Sequence, residues 1–173
     1  ANVADATRLQ TLANTMLGLL RHDRSVVQLQ PVALQTVVSE AMNLVVAPAQ
    51  AKSIAIDDTT PPLMVRAHQQ RLAQLLTILL DNAIKYSPEN SRIEIISDGK
   101  KSLAVRDHGS GIADKDLPNV FNRFYRADES RNSEGFGLGL SLASRLAEQM
   151  GAKVSATNNP SRYGSGATFT ICF

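Results

Sequence analysis

The sequence has 173 residues, of which 43% are hydrophobic and 20% are charged, a balance that indicates one folded domain with a short appendage rather than a disordered chain. The formal net charge of +2 is too small to indicate nucleic acid or a membrane surface as a partner. The single cysteine, Cys172, excludes an internal disulfide and a cysteine-based metal cluster, and no apolar run is long enough to span a bilayer.

The N-terminal residues carry apolar side chains at the spacing of a helix. They predict a helix from about residue 5 to residue 20 with one apolar seam, formed by Leu9, Leu12, Met16 and Leu19. A seam of this kind needs a partner, which is either the rest of the domain or a second helix.

The next part of the chain predicts strands on either side of a helix. Residues 25–32 alternate like a strand, and residues 33–47 predict a helix that ends at Pro48. Residues 52–58 and 63–67 predict two further strands.

The middle of the chain predicts a long amphipathic helix followed by a hairpin. Residues 68–86 form the helix, whose wide apolar stripe consists of Leu72, Leu75, Leu76, Leu79, Leu80 and Ala83. Residues 92–97 and 101–107 predict the two strands, because Asp98 and Gly99 between them are typical of a tight hairpin turn.

The last third of the chain predicts a short helix near residues 114–121, then a longer helix that ends at Gly151. The longer helix is predicted from the spacing of Leu142, Ala143, Leu146, Ala147 and Met150. Residues 152–158 and 166–173 predict the closing strands. Together the elements predict an α/β two-layer sandwich, in which a mixed sheet has helices on one face, rather than a doubly wound fold.

Three alternate glycines, Gly135, Gly137 and Gly139, come directly before the longer helix. Glycines let the backbone approach a ligand, and the exposed N–H groups of a first helical turn favour a phosphate. A flexible loop before a core helix is the alternative. The sequence has no G-x-x-x-x-G-K-[ST] motif, no G-x-G-x-x-G after a strand and no protein-kinase motif set, which excludes these three nucleotide-binding folds.

Three polar residues are candidates for nucleotide chemistry. Asn82 and Lys85 lie three apart on one helix, where an amide oxygen suits Mg²⁺ and an ammonium suits a phosphate, although a solvated helix end is the alternative. Asp107 ends a predicted strand and precedes a glycine-rich turn. An ionised carboxylate only accepts hydrogen bonds, so it would bind the amino group of adenine and repel the carbonyl of guanine. An ordinary turn is the alternative there.

Five motifs follow one another along the chain: DNAIKYS (81–87), DHGSGI (107–112), VFNRFYR (120–126), GFGLGL (135–140) and GSGATF (164–169). The series resembles the N, G1, F, G2 and G3 boxes of the catalytic, ATP-binding domain of sensor histidine kinases. These kinases belong to the GHKL superfamily, which they share with DNA gyrase, the heat-shock chaperone ATPases and the MutL repair proteins. The resemblance covers roughly residues 25–173 and implies the Bergerat fold, in which ATP is held on the helical side of a mixed sheet.

The resemblance also implies roles for individual residues. Asn82 would coordinate Mg²⁺, Lys85 and Tyr86 would lie near the phosphates, Arg126 would reach the γ-phosphate, and Asp107 would hold the adenine amino group. Asn82, Lys85 and Arg126 form the implied catalytic set. The other implied nucleotide-binding residues are Gly109, Gly111 and Ile112 beside the ring, Phe121, Phe124 and Tyr125 in the F box, Gly135, Gly137, Leu138, Gly139 and Leu140 around the end of the ATP lid, and Thr168 near the adenine.

Ile78 departs from the family pattern. The family usually has Asn at this position, and its hydrolytic members and the serine-kinase anti-sigma factors carry a Glu there as general base. Because Ile cannot take a proton, the resemblance argues against hydrolysis and serine phosphorylation, and it implies weaker binding of metal or nucleotide. A smaller departure is His68, where Asp is common.

The phosphoacceptor histidine of the family is expected outside this sequence. Its H-E-x-x-[TS]-P type of motif does not occur, and His22 has no such context. We expect residues 1–24 to be the tail of a dimerisation-domain helix and residues 25–173 to be the catalytic ATP-binding domain.

The resemblance therefore implies a histidine kinase that transfers the γ-phosphoryl group of ATP, with Mg²⁺, to a histidine on a separate dimerisation domain. A degenerate nucleotide-binding module without kinase activity is the alternative. A response regulator is the implied further partner, and nucleic acid is not. The full-length protein would be a homodimer anchored in the bacterial inner membrane, with this monomeric or weakly associated piece on the cytoplasmic face.

Overall fold

The computed structural model describes residues 27–127 and 137–173, together with Gln10, Ala13, Asn14 and Leu17. Those four residues are helical. The rest of the helix predicted over residues 5–20 lies outside the described residues, and so does Gly135.

Residues 27–127 and 137–173 form seven strands and three α-helices. In chain order these are β1 (Gln30–Ala33), α1 (Leu34–Ala51), β2 (Ala55–Asp58), β3 (Met64–Ala67), α2 (Gln69–Tyr86), β4 (Arg92–Ser97), β5 (Ser102–Arg106), α3 (Gly139–Gln149), β6 (Lys153–Asn158) and β7 (Ala167–Cys172).

Five strands form one sheet in the order β2-β4-β5-β7-β6. The pair β2 and β4 is parallel, whereas the other three pairs are antiparallel, so the predicted mixed sheet is confirmed. The strands β1 and β3 form a separate antiparallel pair, which the sequence analysis did not separate from the main sheet.

One face of the five-stranded sheet is apolar and carries the helices. Its buried side chains include Ile93, Ile95, Leu103, Val105, Phe169 and Ile171, which occupy alternate positions along β4, β5 and β7. The leucine stripe of α2 is buried in the same core, and α2 packs against both α1 and α3. The two-layer arrangement is thus the predicted one, and it holds the C-terminal half of α2 beside the end of β5.

The hairpin between β4 and β5 is confirmed at the predicted turn. The Asp98 carboxylate accepts hydrogen bonds from the N–H groups of Lys100, Lys101 and Ser102, each at 2.9 Å. These bonds favour the ionised form and lower the pKa of Asp98 to about 2.

Three predicted element boundaries were wrong. The first strand, predicted over residues 25–32, comprises only Gln30–Ala33, and residues 27–29 are not in a strand. Helix α1 does not end at Pro48 but continues to Ala51, because a proline near the end of a helix forfeits only the hydrogen bond to the residue four before it. That residue, Leu44, is exposed, so the missing hydrogen bond lies on the solvent side of the helix. The helix predicted near residues 114–121 is only a 3₁₀ turn at Leu117–Asn119, since Pro118 lacks the N–H that a longer helix needs.

Candidate functional site

Three segments that are distant in sequence meet beside the C-terminal half of α2. The loop after β5 touches the end of α2, since a Cβ added at Gly109 would collide with the Tyr86 carbonyl oxygen. The start of α3 lies against the same helix about two turns earlier, where a Cβ at Gly139 would lie 3.6 Å from Cγ2 of Ile78. The N, G1 and G2 boxes are therefore neighbours in the folded chain.

Asp107 follows directly after β5 and is buried, with 3% of its surface exposed. Its Oδ1 accepts hydrogen bonds from the N–H groups of Gly109 (2.9 Å) and Ala167 (3.1 Å). Oδ2 accepts no hydrogen bond from any residue in the described part of the chain, so it is the oxygen that a ligand can use. Burial raises the pKa of the Asp107 carboxyl, whereas the two N–H bonds and the neighbouring His108 lower it in part.

The two glycines of the G1 box have different surroundings. Gly109 is buried, and its lack of a side chain allows the loop to pack directly on the backbone of α2. Gly111 is partly exposed and lies near the side chain of Asn158, whose amide binds both backbone groups of Ile112. Ile112 itself packs against the hydrophobic core.

Asn82, Lys85 and Tyr86 lie on the last turns of α2. Asn82 and Lys85 are half-buried, and Tyr86 is exposed. The Lys85 ammonium nitrogen lies 5.2 Å from the centroid of the Tyr86 ring. The Asn82 side chain has no hydrogen bond to other residues within 27–127 and 137–173, so its amide oxygen is open to a ligand.

The F box is held to the body of the domain at three points. Phe121 packs edge-on against the buried Phe169, with ring centroids 6.2 Å apart. The Tyr125 hydroxyl donates to the buried carboxylate of Asp116. The backbone N–H of Phe124 donates to the carbonyl of Gly137 at 3.0 Å, while the Phe124 side chain is exposed.

This last bond connects the F box to the start of α3. The stem of Arg126 also lies against Gly137, where a Cβ would be 3.1 Å from its Cγ. Leu138 is buried and precedes the first turn of α3, and its carbonyl accepts hydrogen bonds from the Ser141 hydroxyl and the Leu142 N–H. No side chain of the described residues caps this helix, so the N–H groups of its first turn are available to an anion.

Thr168 is connected to Asp107 through the side chain of Asn159, a residue that was not predicted to belong to the site. Its hydroxyl donates to the Oδ1 of Asn159 at 2.7 Å, and the Nδ2 of Asn159 donates to the Asp107 carbonyl at 2.8 Å. The signal in the sequence was the pair Asn158–Asn159 ahead of the GSG motif, because asparagine side chains readily bind neighbouring backbone groups.

Metal-binding clusters and membrane-spanning helices are both absent from the described residues. The described residues contain no group of three or more His, Cys, Asp or Glu side chains that could hold a metal ion. None of the helices in the described ranges is long and apolar enough to cross a membrane.

Residues 67–173 match the family described as histidine kinase-, DNA gyrase B-, and HSP90-like ATPases. The sensor histidine kinase YkoH of Bacillus subtilis is 37% identical over 98% of this chain, which spans 37% of that relative. Among solved structures, the mycobacterial sensor histidine kinase MprB superposes with a TM-score of 0.70 at 25% identity, over 83% of this chain and 95% of its own. ShkA, in a full-length complex with AMPPNP, superposes with a TM-score of 0.78 at 28% identity, over 94% of this chain and 35% of its own.

The chain belongs to this ATPase family and has the fold of a histidine kinase catalytic domain. Family membership supports the use of ATP by the site described above. The predicted Bergerat fold is thereby confirmed, while the roles of individual site residues stay predictions.

Proposed function

We propose that this chain is the ATP–Mg²⁺-binding catalytic domain of a two-component sensor histidine kinase. It transfers the γ-phosphoryl group of ATP to a histidine on a separate dimerisation domain. The observation that carries the proposal is the Asp107 carboxylate, whose Oδ1 is held by two backbone N–H groups while Oδ2 has no hydrogen bond within the described residues. A fixed acceptor of this kind suits the amino group of adenine.

The residues around α2 suit the triphosphate. Asn82 offers an amide oxygen, a ligand that hard cations accept, and the phosphates and water would complete the coordination of Mg²⁺. Mg²⁺ bound there would supply positive charge that offsets the negative charge developing during transfer. Lys85 lies about one turn further along α2, and the start of α3, which has no side-chain cap and suits a phosphate, lies beside Ile78 on the same helix.

Catalysis then depends on position and electrostatics. An imidazole nitrogen of the acceptor attacks the γ-phosphorus, the bond to the β–γ bridging oxygen breaks, and ADP leaves with that oxygen. Lys85 and Arg126 stabilise the negative charge on the oxygens of the γ-phosphoryl group. Asp107 fixes the position of the nucleotide by binding its adenine base. The attacking nitrogen of neutral imidazole carries a lone pair and no proton, and the proton on the other ring nitrogen passes to water or to the acceptor's own domain, so the chain needs no general base of its own for this step.

The test is phosphoryl transfer in trans. The chain is mixed with γ-labelled ATP, Mg²⁺ and a dimerisation domain that carries the acceptor histidine of a related sensor kinase. We expect an acid-labile, base-stable phosphohistidine on that domain, and none when its histidine is replaced by glutamine. If the chain binds ATP but labels no acceptor from several related kinases, the kinase proposal is wrong.

A second candidate is a nucleotide-binding module without kinase activity, and Ile78 is the observation that favours it. Ile78 packs partly into the core beside Gly139, where the family usually has an asparagine. An apolar side chain at this place offers no ligand to metal or phosphate.

The affinity for ATP–Mg²⁺ separates the two candidates. Ile78→Asn should tighten ATP binding in the presence of Mg²⁺ by about tenfold, the effect of one added polar ligand, and should not alter binding in EDTA. The regulatory module is the better description if the parent chain binds ATP–Mg²⁺ only weakly and transfers no phosphate, whereas the Ile78→Asn variant binds ATP–Mg²⁺ tightly and transfers phosphate.

The chain spans 37% of the Bacillus relative, so the rest of the system is a proposal as well. Residues 1–24 would be the tail of the dimerisation-domain helix, and residues 25–173 the catalytic domain. The full-length protein would be a homodimer anchored in the bacterial inner membrane, with this domain on the cytoplasmic face. A response regulator would receive the phosphoryl group, and nucleic acid would play no part.

A further inference from the structure

Two adjacent asparagines at the end of β6 reach into the loop that begins with Asp107. The side-chain amide of Asn158 forms a closed pair with Ile112, accepting from its N–H at 2.8 Å and donating to its carbonyl at 2.7 Å. Asn159 reaches the beginning of the same loop. The segment between the two contact points is the G1 box, so both of its ends are fixed by side chains from β6.

Asn159 uses all the hydrogen-bonding groups of its side-chain amide. Its Nδ2 donates to the carbonyls of Asp107 (2.8 Å) and Ser165 (3.2 Å), and its Oδ1 accepts from the Thr168 hydroxyl (2.7 Å). Its backbone N–H also donates to the Gly166 carbonyl at 2.9 Å. The side chain therefore links β7, the β6–β7 loop and the G1 box through one amide group.

The bond to the Asp107 carbonyl completes the restraint of that residue. The Asp107 N–H donates to the Ala167 carbonyl at 2.9 Å, and its Oδ1 is held as described above. Gly166 packs on the same carbonyl so closely that a Cβ there would collide with it. Because the peptide group and one carboxylate oxygen of Asp107 are all fixed, the direction of Oδ2 is fixed too.

We propose that Asn159 is a positioning residue for adenine recognition, which acts through Asp107 and not by touching the nucleotide. Thr168 in turn acts through Asn159, since its hydroxyl donates to the Oδ1 of that residue. The inference rests on the proposed function, in which Asp107 Oδ2 receives the amino group of adenine. It assigns the nucleobase specificity of the site to three residues, Asp107, Asn159 and Thr168, rather than to one carboxylate.

A positioning role differs from a purely structural one in what it does to binding. A residue that only stabilises the fold changes the melting temperature and leaves the affinities of the folded protein as they were. A residue that aims Oδ2 changes the affinity for adenine nucleotides and leaves binding of the phosphates unchanged. The measurement is therefore a set of dissociation constants for ATP, GTP and tripolyphosphate, all with Mg²⁺, at a temperature where each variant is folded.

The first variant is Asn159→Ala in the 173-residue chain. We expect its affinity for ATP to fall about tenfold, the effect expected when one buried carbonyl loses its donor. The affinities for GTP and tripolyphosphate should stay within twofold, so the preference for ATP over GTP falls by the same tenfold. Asn43→Ala on the exposed part of α1 is the matched control and should change none of the three constants.

Thr168 supplies a second variant that keeps the strand intact. Thr168→Val removes the hydroxyl and keeps the shape of the side chain, so it should lower the preference for ATP over GTP, as Asn159→Ala does. Thr168→Ser keeps a hydroxyl and should retain the preference of the parent chain. Thr170→Val is the control, because Thr170 lies on the same strand and the same sheet face and its hydroxyl has no hydrogen bond within the described residues. The double variant Asn159→Ala/Thr168→Val should be no worse than Asn159→Ala alone, since both changes break one chain of bonds.

The outcomes separate the inference from the proposed function. If the parent chain binds ATP and GTP equally, Asp107 does not recognise adenine, and the proposed function and the inference both fail. If the parent prefers ATP and Asn159→Ala keeps that preference while only its melting temperature falls, Asn159 is structural and the inference alone is wrong. Equal losses for ATP and tripolyphosphate would also overturn it.

Discussion

At the scale of single residues, Asp107 combines two properties that oppose each other. Its burial makes the ionised carboxylate costly to keep in the folded chain, while its fixed Oδ2 is what an adenine amino group needs. Residues held for function at the expense of stability are common in binding sites. Replacing this carboxylate by an amide should therefore move affinity and stability in opposite directions.

Asp107→Asn should weaken ATP binding about ten- to a hundredfold at neutral pH. The reason is the loss of a charge-assisted hydrogen bond, which contributes about 1.5–3 kcal/mol. The amide can also donate, so the preference for ATP over GTP should fall. Isothermal titration with both nucleotides measures the two effects, and an unchanged ATP preference would contradict the role of Asp107.

The same variant should be more stable than the parent chain at neutral pH. The pKa of Asp107 is raised in the folded state, so the stability linked to this carboxyl is fully present below its ordinary pKa of 3.8 and is lost as the pH rises through the raised value. Asparagine does not ionise, so the Asp107→Asn variant does not lose this stability as the pH rises. Melting temperatures between pH 3 and pH 8 test it, because the advantage of Asp107→Asn should grow with pH; a constant difference would count against it.

At the scale of elements, the end of α2 depends on a side chain from the loop after α1. The ammonium group of Lys52 donates to three carbonyls at the C-terminus of α2, those of Ile84 (2.7 Å), Lys85 (3.2 Å) and Ser87 (2.6 Å). These carbonyls lack partners inside the helix, and a cation there also suits the negative end of the helix dipole. Lys52 thus fixes the turn that carries Lys85 and Tyr86.

Lys52→Met should lower the free energy of unfolding by about 2 kcal/mol, since it keeps the aliphatic stem and removes charged donors to a helix end. The melting temperature should fall by roughly 4–8 °C in a chain of this length. Lys100→Met, at the exposed turn between β4 and β5, is the matched control and should melt like the parent. Equal melting temperatures for the two variants would show that the helix end does not need Lys52.

Features formed by residues close in sequence were predicted better than features formed by residues far apart in sequence. The leucine stripe of α2 and the Asp98 turn are local patterns, and both were predicted correctly. Pro48 misled the prediction, because its penalty near an exposed helix end is small. Asp107 and Asn82 were predicted as site residues from the order of the motifs and a family resemblance, and their roles stay predictions. The bonds from Asn159 to Asp107 join residues 52 positions apart, and no local pattern indicates them.

At the scale of the whole molecule, the proposed ATP site has the apolar Ile78 at the position where the resemblance implies a Glu, the general base for water, in the hydrolytic relatives. A general base must lie within hydrogen-bond reach of the proton it takes, and Ile78 occupies the place beside the start of α3. The isolated chain should bind ATP and release almost no phosphate from it. A phosphate-release assay tests this; steady release that Asn82→Ala abolishes would show that a base lies elsewhere in the chain.

The bond between the Phe124 N–H and the Gly137 carbonyl has a consequence for how this domain tolerates change. It joins the main chain at two residues that are 13 positions apart in the sequence. Both partners are main-chain groups, so the bond does not depend on the exposed side chain of Phe124. The F box therefore stays joined to the start of α3 when that side chain is replaced.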